Sequence, residues 1–440
     1  MIDSGQVEQI DVLPDDVLLE IFDFYTTIMS LHTWTGCPLR CEKKRIDAWQ
    51  TLVHVCRRWR SLVFISPRRL HLGLCCTPET PVRDKLDVWP ALPLIVFGNM
   101  TSSGADNIIA ALERSNRVCE VNLQLGGRQL EQVLAAMQVP FPELTDLHLF
   151  SEDETLPVIP DSSLDGSAPR LRTVNLSGIP FPGLPNLLLS ATQLVSLQLT
   201  DVPDSGYFSS EAMVALISVL SRLESFSLEF RSPQSRPDRE TQRPPPSKRS
   251  ILPDLYEFGF KGDTEYLEDF VTCIDAPGLH RLIISFFDQI DCGCPRLYQF
   301  INRIPTFTAL KEVHVQFGDG TASFIHRHWM SDTYDRDDNL QIYFSCTEPE
   351  RQLSAIEQVC NSLSSPLSTA KKLYIEHEYS QLIWEDHDIE DTLWLRLLLP
   401  FAAVEELLLS KEFVPDIAAA LKELVRERIV QVLPLLMILP

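Results

Sequence analysis

Residues 144–149 read Leu-Thr-Asp-Leu-His-Leu, and this short stretch sets the pattern for most of the chain. A leucine stands three positions before the first of two alternating apolar residues, which gives the frame Leu-x-x-apolar-x-apolar. Alternation with a period of two predicts a short β-strand with one buried face. Copies of the frame start at Leu144, Leu171, Leu194, Leu223, Leu255, Leu279, Leu310, Ala370 and Val404, with a weaker early copy at Val118.

The segments between these copies often carry apolar residues at helical spacing. One example follows Ser209, which can cap a helix with Met213, Leu216 and Ile217 on its apolar face. A single strand and helix cannot bury their apolar faces alone, but stacked neighbours can. The pattern predicts an α/β fold in which residues 71–440 form an irregular leucine-rich-repeat-like solenoid, with a curved parallel sheet and outer helices. An ordinary α/β sheet domain is the alternative.

Residues 1–70 have a different pattern, that of two amphipathic helices. In the first, Pro14 and Asp15 suit the opening turn, and apolar residues then recur at helical spacing from Val17 to Tyr25. The second spans residues 49–63 and is built around Trp49 and Trp59. Two short amphipathic helices cannot bury both apolar faces against each other, so they need a further surface. That surface is either another polypeptide or, in the simpler interpretation, the domain that the helices cap.

Residues 13–22, Leu-Pro-Asp-Asp-Val-Leu-Leu-Glu-Ile-Phe, and residues 55–62, Val-Cys-Arg-Arg-Trp-Arg-Ser-Leu, together resemble the F-box. An F-box ahead of degenerate leucine-rich repeats is similar to a large group of fungal F-box proteins. One departure is an insertion at residues 26–44, which is longer than the loop of a compact F-box.

The resemblance implies a substrate-recognition subunit of a cullin-based, SCF-type ubiquitin ligase. The F-box would dock on a Skp-type adaptor and the repeats would hold an unknown target protein. Of the residues that the resemblance places in the docking module, Leu13, Pro14, Ile21 and Trp59 are the preferred contacts. The full set is Leu13, Pro14, Val17, Leu18, Ile21, Phe22, Val53, Cys56 and Trp59. A repeat scaffold that binds partners without any ligase role is the alternative.

Composition excludes several classes of partner. The 440 residues contain 38 Lys and Arg against 61 Asp and Glu, a formal net charge of −23. Such a balance argues against a general nucleic-acid or anionic-membrane surface. Residues 1–12 are polar and carry no apolar core of a signal peptide, and scattered cysteines fit reduced thiols. We therefore expect a cytoplasmic or nuclear protein that does not bind nucleic acid or membrane.

No pattern of catalytic chemistry is present in the sequence. It holds no phosphate loop, nucleophile elbow or dinucleotide fingerprint, so we expect no enzyme, no cofactor and no metal. His326 and His328 are interpreted as a loop pair rather than metal ligands.

Residues 232–250 are proline-rich and polar, which predicts a disordered loop within the repeats. For target binding, the alternation points to exposed strand residues on the concave side, namely His148, Asn175, Gln198 and His314.

Overall fold

A computed structural model describes residues 13–31, 51–65, 72–89, 91–99, 105–153, 157–180, 186–233, 249–287, 293–327, 339–377 and 391–426. The chain divides into two compact units. The first comprises residues 1–181 and 185–194, and the second comprises residues 182–184 and 195–440. The predicted boundary near residue 70, between the helical module and the repeats, stays a prediction.

The first unit combines N-terminal helices with parallel strands that are paired in chain order, β1-β2-β3-β4-β5. Its elements are α1 (Asp15–Leu31), α2 (Arg57–Ile65), β1 (Leu72–Cys75), α3 (Val82–Val88), β2 (Leu94–Asn99), α4 (Ala105–Leu112), β3 (Val118–Gln124), α5 (Gly127–Ala136), β4 (Asp146–Phe150), a 3-10 turn (Ser163–Gly166), β5 (Thr173–Ser177) and α6 (Asn186–Ser190). Residues 51–55 are also helical.

The second unit continues the alternation of strands with helices. Its strand order is β6-β7-β9-β11-β14-β13-β12-β15-β16, with β8 and β10 forming a separate parallel pair. Its elements are β6 (Ser196–Val202), α7 (Ser210–Ile217), β7 (Ser225–Phe230), β8 (Ser250–Ile251), β9 (Glu257–Gly262), α8 (Thr264–Thr272), β10 (Ile274–Asp275), β11 (Arg281–Phe286), α9 (Pro295–Arg303), β12 (Glu312–Phe317), β13 (Thr321–Arg327), β14 (Asn339–Ser345), α10 (Pro349–Ser362), α11 (Ser364–Leu367), β15 (Lys372–His377), α12 (Asp391–Leu398), β16 (Glu406–Leu409) and α13 (Val414–Arg426). Short 3-10 turns lie at Asp204–Gly206, Pro305–Phe307 and Lys411–Phe413.

Every copy of the Leu-x-x-apolar-x-apolar frame forms a strand, as the sequence predicts. In the copy that starts at Leu144, the leucine and the alternating residues Leu147 and Leu149 are all buried. The residues between them, such as His148, are half-buried, because successive side chains of a strand point to opposite faces. The α/β class with mostly parallel strand pairing is therefore confirmed.

The buried face is covered by the helices, as the aromatic packing of the second unit illustrates. Phe226 of β7 lies opposite Phe258 of β9, and their rings stack at a centroid distance of 5.6 Å. Phe270 of α8 packs on both rings, at 5.8 Å from Phe226 and 5.4 Å from Phe258. Burial of each such side chain contributes about 1.5–3 kcal/mol, so the strands depend on the helices above them.

Helix formation follows local signals in the sequence. The Ser209 hydroxyl accepts a hydrogen bond from the backbone N–H of Ala212, which confirms the predicted cap of α7. Helices that are neighbours along the chain pack together within each unit, α3 with α4 and α7 with α8 among them. Parallel strands joined by such crossovers in chain order place their helices on one face of a sheet, because the crossovers share one hand. The opposite face is left with half-buried side chains.

One part of the second unit departs from the predicted parallel sheet. Strands β13 and β14 run antiparallel, and they lie between β11 and β12, which would otherwise be neighbours. His326 belongs to β13 rather than to a loop, so that prediction is wrong. Its imidazole is buried, with Nδ1 2.7 Å from the carbonyl oxygen of Glu312. His328 lies outside the described residues.

The fully buried side chain of Gln352 joins α10 to this inserted hairpin. Its Nε2 donates hydrogen bonds to the carbonyl oxygens of Gly318, at 2.8 Å, and Cys346, at 2.6 Å. Those two residues flank β13 and β14, so one amide holds both ends of the insertion against the helix. Hydrogen bonds of this kind matter most where neither partner can reach water.

We expect Gln352→Ala to destabilise the second unit by roughly 1–3 kcal/mol, the usual cost of a buried polar group that loses its partner. The measurement is the urea midpoint of the full-length protein. Gln358→Ala, a half-buried change on the same helix, is the matched control. A loss for Gln352→Ala no greater than that of the control would contradict the assignment.

Candidate functional site

Two surfaces are candidates for binding a partner: the exposed side of the N-terminal helices and the half-buried face of the strands. The first begins at α1, which starts immediately after Pro14 and carries Asp15 and Asp16 in its first turn. The backbone N–H of Leu18 donates to the Pro14 carbonyl oxygen at 3.0 Å, so Pro14 lies at the N-terminus of the helix. The helix continues to Leu31, so residues 26–31 of the predicted inserted loop are helical; residues 32–44 lie outside the described residues.

The inner side of α1 packs against the following helical segments. Leu18 and Phe22 are buried, and the Phe22 ring lies 4.7 Å from the ring of Trp59 on α2. Val53 and Val63 are also buried. These side chains hold the helices together, so Leu18, Phe22 and Val53 are not available as direct contacts for a partner in this arrangement.

Arg58 ties the beginning of α1 to α2. Its Nη2 donates to the Leu13 carbonyl oxygen at 2.5 Å and to Asp15 Oδ1 at 2.6 Å. Arg60 Nε donates to the Val53 carbonyl oxygen at 2.9 Å, which joins α2 to the helical segment before it. Arg58 thereby positions Leu13 and Pro14. The sequence pattern includes this arginine but does not predict its role.

The outer side of α1 presents an apolar stripe. Val17 is 39% exposed, Ile21 43% and Phe24 68%. Together with the exposed Pro14, these residues recur at helical spacing on one face. We call Pro14, Val17, Ile21 and Phe24 the α1 stripe. Phe24 was missed from sequence because Phe22 and Tyr25 account for the inward apolar pattern around it.

The predicted docking residues therefore fall into three groups. Pro14, Val17 and Ile21 are exposed, Leu18, Phe22 and Val53 are buried, and Leu13, Cys56 and Trp59 are half-buried. Exposed large apolar side chains also occur on the following helical segments, at Val55, Phe64 and Ile65. Grouped apolar exposure of this kind is typical of interaction surfaces.

The second surface is the half-buried face of the strands. In the first unit, Asn122, His148 and Asn175 are opposite one another on neighbouring strands. In the second unit, strand register aligns one row across the sheet: Gln198, Ser227, Gly259, Ile283, Gln341, Ile325, His314, Tyr374 and Leu408. The four residues proposed for target binding all lie in these rows, but each is half-buried rather than fully exposed.

His314 is the centre of a polar cluster on this face. Its ring stacks on Tyr374 at a centroid distance of 4.2 Å. Nε2 lies 3.1 Å from Glu312 Oε1, and Nδ1 lies 3.6 Å from Glu376 Oε2. Gln316 Nε2 donates to the same Glu376 oxygen at 3.0 Å. These contacts link β12 to β15 and fix the side chains that a partner would meet.

The accessible part of the face is interrupted. In the first unit, Ile95 and Phe97 are buried, although they lie opposite Glu120 and Asn122 in the strand register. In the second unit, Ile325 and Gln341 are buried within the aligned row. A partner of the second unit would therefore meet two separate regions, β6 to β11 and β12 to β16.

Two buried cysteines are poor nucleophiles in this fold. Burial raises the pKa of the Cys119 thiol to about 12 and raises that of Cys360 further, so neither thiol forms a reactive thiolate near neutral pH. Within the described ranges, no group of His, Cys, Asp and Glu could hold a metal ion. Nor does that part of the chain contain a helix with the length and apolar character needed to span a bilayer.

Comparison with known proteins gives no family assignment. No protein-family model matches the chain, and no curated protein matches it significantly. The function must therefore be argued from the chain itself.

Burial lowers the pKa of His148, and this outweighs the opposite effect of the nearby Asp146 carboxylate. An unfolded histidine takes up its proton near pH 6.5. Because the folded protein takes it up only at lower pH, stability should fall as the pH drops below about 6.5. We expect His148→Gln to reduce the difference in melting temperature between about pH 7 and pH 5.5. The exposed His54, changed to Gln, is the control; an unchanged pH dependence in His148→Gln would contradict the prediction.

Proposed function

We propose that this protein is a substrate-recognition subunit of a cullin-based ubiquitin ligase. The N-terminal helices are an F-box that docks on a Skp-type adaptor, and the repeat strands hold the target protein. The observation that carries the proposal is the α1 stripe, which follows the Leu-Pro start of the F-box-like sequence. A helix that only capped its own domain would bury its large apolar side chains, whereas α1 exposes three of them to water.

The internal packing of the module supports this division of roles. The Phe22 ring packs on Trp59 and Leu18 is buried, while Val17 and Ile21 are exposed. The Arg58 bonds to Leu13 and Asp15 keep the start of the stripe in place without a partner. A preformed surface costs less conformational entropy on binding than one that must be ordered.

The finer fold assignment is also part of the proposal. We infer that the strands form a curved, leucine-rich-repeat-like solenoid. Its support is the recurrence of one frame in strand after strand, the parallel pairing in chain order within the first unit, and the packing of successive helices. In solenoids of this kind the face opposite the helices is available to partners. The target would bind there, in a cytoplasmic or nuclear compartment.

The proposed mechanism is positioning rather than chemistry. A target held on the repeats stays close to a ubiquitin-charged enzyme elsewhere on the assembly. This raises the effective concentration of its lysine side chains at the reacting centre. The protein itself needs no catalytic residue, cofactor or metal for this role.

Replacement of the α1 stripe gives a direct test. We expect the double variant Ile21→Asp, Phe24→Asp to weaken binding of a purified Skp-type adaptor at least tenfold, since two apolar anchors would become charged. Binding is measured by surface plasmon resonance with the full-length protein. Val88→Asp, at an exposed valine of α3, is the control and should bind normally.

Leu13→Ala with Pro14→Ala tests the start of the same surface and should also weaken adaptor binding. The unfolding curve of the variant with Ile21→Asp and Phe24→Asp should match that of the parent protein, because both side chains lie outside the core. A full-length parent protein that does not bind the adaptor, or stripe variants that bind as tightly as the parent, would favour the repeat scaffold without a ligase role.

A further inference from the structure

A shallow recess of about 260 Å³ lies on the half-buried face of the second unit, across β6, β7, β9 and β11. It exists because neighbouring strands carry small residues at the same level of the sheet: Ser227 lies opposite Gly259. A Cβ atom added at Gly259 would lie 2.7 Å from Ser227 Oγ, so a larger residue would displace the serine hydroxyl and raise the floor. Lys261 and Ile283 line the recess, and its other lining side chains include the polar residues Gln198, Thr200, Ser225, Ser227, Glu229 and Ser285.

One side of the recess carries the carboxylate of Glu229. The Glu229 carboxylate accepts a hydrogen bond from the Ser227 hydroxyl at 3.2 Å, and among the described residues it has no ion-pair partner. Glu257 also lines the recess, but it has an ion-pair partner, because Arg281 Nε lies 3.4 Å from its Oε1. Of these two carboxylates, Glu229 is the one that can accept a charged partner from outside.

The nearest cation in the strand register is directed elsewhere. Lys261 lies opposite Glu229, yet its ammonium is placed over the ring of Phe287, 5.8 Å from the centroid. Phe287 follows β11, on the other side of β9 from Glu229. Because the Lys261 ammonium contacts the Phe287 ring, the Glu229 carboxylate can bind a cationic group from a partner.

We propose that the recess receives an arginine side chain from an extended segment of a partner polypeptide. A guanidinium presents several N–H donors in one plane, so it can bond the Glu229 carboxylate and the serine or threonine oxygens beside it together. The flat floor at Gly259 admits such a planar group. The formal net charge of −23 favours the approach of a basic segment over long range. This proposal does not depend on adaptor docking by α1, since a ligase receptor and a scaffold would use the recess alike.

The test uses the full-length protein and a fluorescein-labelled peptide, Gly-Ser-Arg-Ser-Gly, followed by fluorescence anisotropy at low ionic strength. We expect saturable binding that weakens at least fivefold in Glu229→Gln. The matched control is Glu224→Gln, which removes the same charge at an exposed position just before β7 and should change binding less than twofold. Ser285→Trp, which fills the recess without changing its charge, should weaken binding as well.

Two further peptides separate recognition of arginine from attraction by charge. A peptide with citrulline in place of arginine should bind at least fivefold more weakly, and Glu229→Gln should not weaken it further, because the interaction that it removes is already absent. A peptide with lysine in place of arginine should bind more weakly than the arginine peptide and more tightly than the citrulline peptide. Melting temperatures establish that each variant is folded. Absence of saturable binding, equal losses in the Glu229 and Glu224 variants, or equal binding of the lysine and arginine peptides would overturn the proposal.

Discussion

The whole repeat region depends on one constraint: no single strand and helix of this chain can bury its own apolar face. Each frame supplies a leading apolar residue and two alternating ones, and these are buried only because helices and neighbouring strands close over them. In the copy that starts at Leu255, Phe258 and Phe260 are both buried. Phe258 meets an aromatic ring from the adjacent strand and another from α8. Stability is therefore shared between neighbouring strands and helices, which is the behaviour expected of stacked repeats.

The same constraint leaves one face of the strands partly open to partners. Because the helices cover one side, the alternate residues of most strands are half-buried and can be polar without cost to the core. Most of those positions in β6, β7, β9 and β11 are polar or charged, with Gly259 and Ile283 as the exceptions. The N-terminal module differs, because apolar residues lie on its exposed side as well as in its interior, and the exposed ones form the α1 stripe. We take the polar face and the stripe as the two binding surfaces of the protein.

The sequence predicted the strands well and the exceptions poorly, for physical reasons. The frame that starts at Leu144 is a local signal, and its burial follows from alternation alone. The insertion of β13 and β14 depends on long-range pairing and on the Gln352 side chain, neither of which has a local pattern. In the N-terminal module, apolar spacing placed Val17 and Phe22 on the same helix. It could not tell which of them would face Trp59, because that choice is made by packing in three dimensions.

The central claim is that the α1 stripe is covered by a second polypeptide, and hydrogen–deuterium exchange tests it most directly. The full-length protein is compared alone and with a saturating Skp-type adaptor, and exchange is followed in peptides from α1 and, as an internal reference, from α10. The account predicts that the amides of α1 exchange at least tenfold more slowly with adaptor, while those of α10 do not change. Protection of α1 that is the same with and without the adaptor would contradict it.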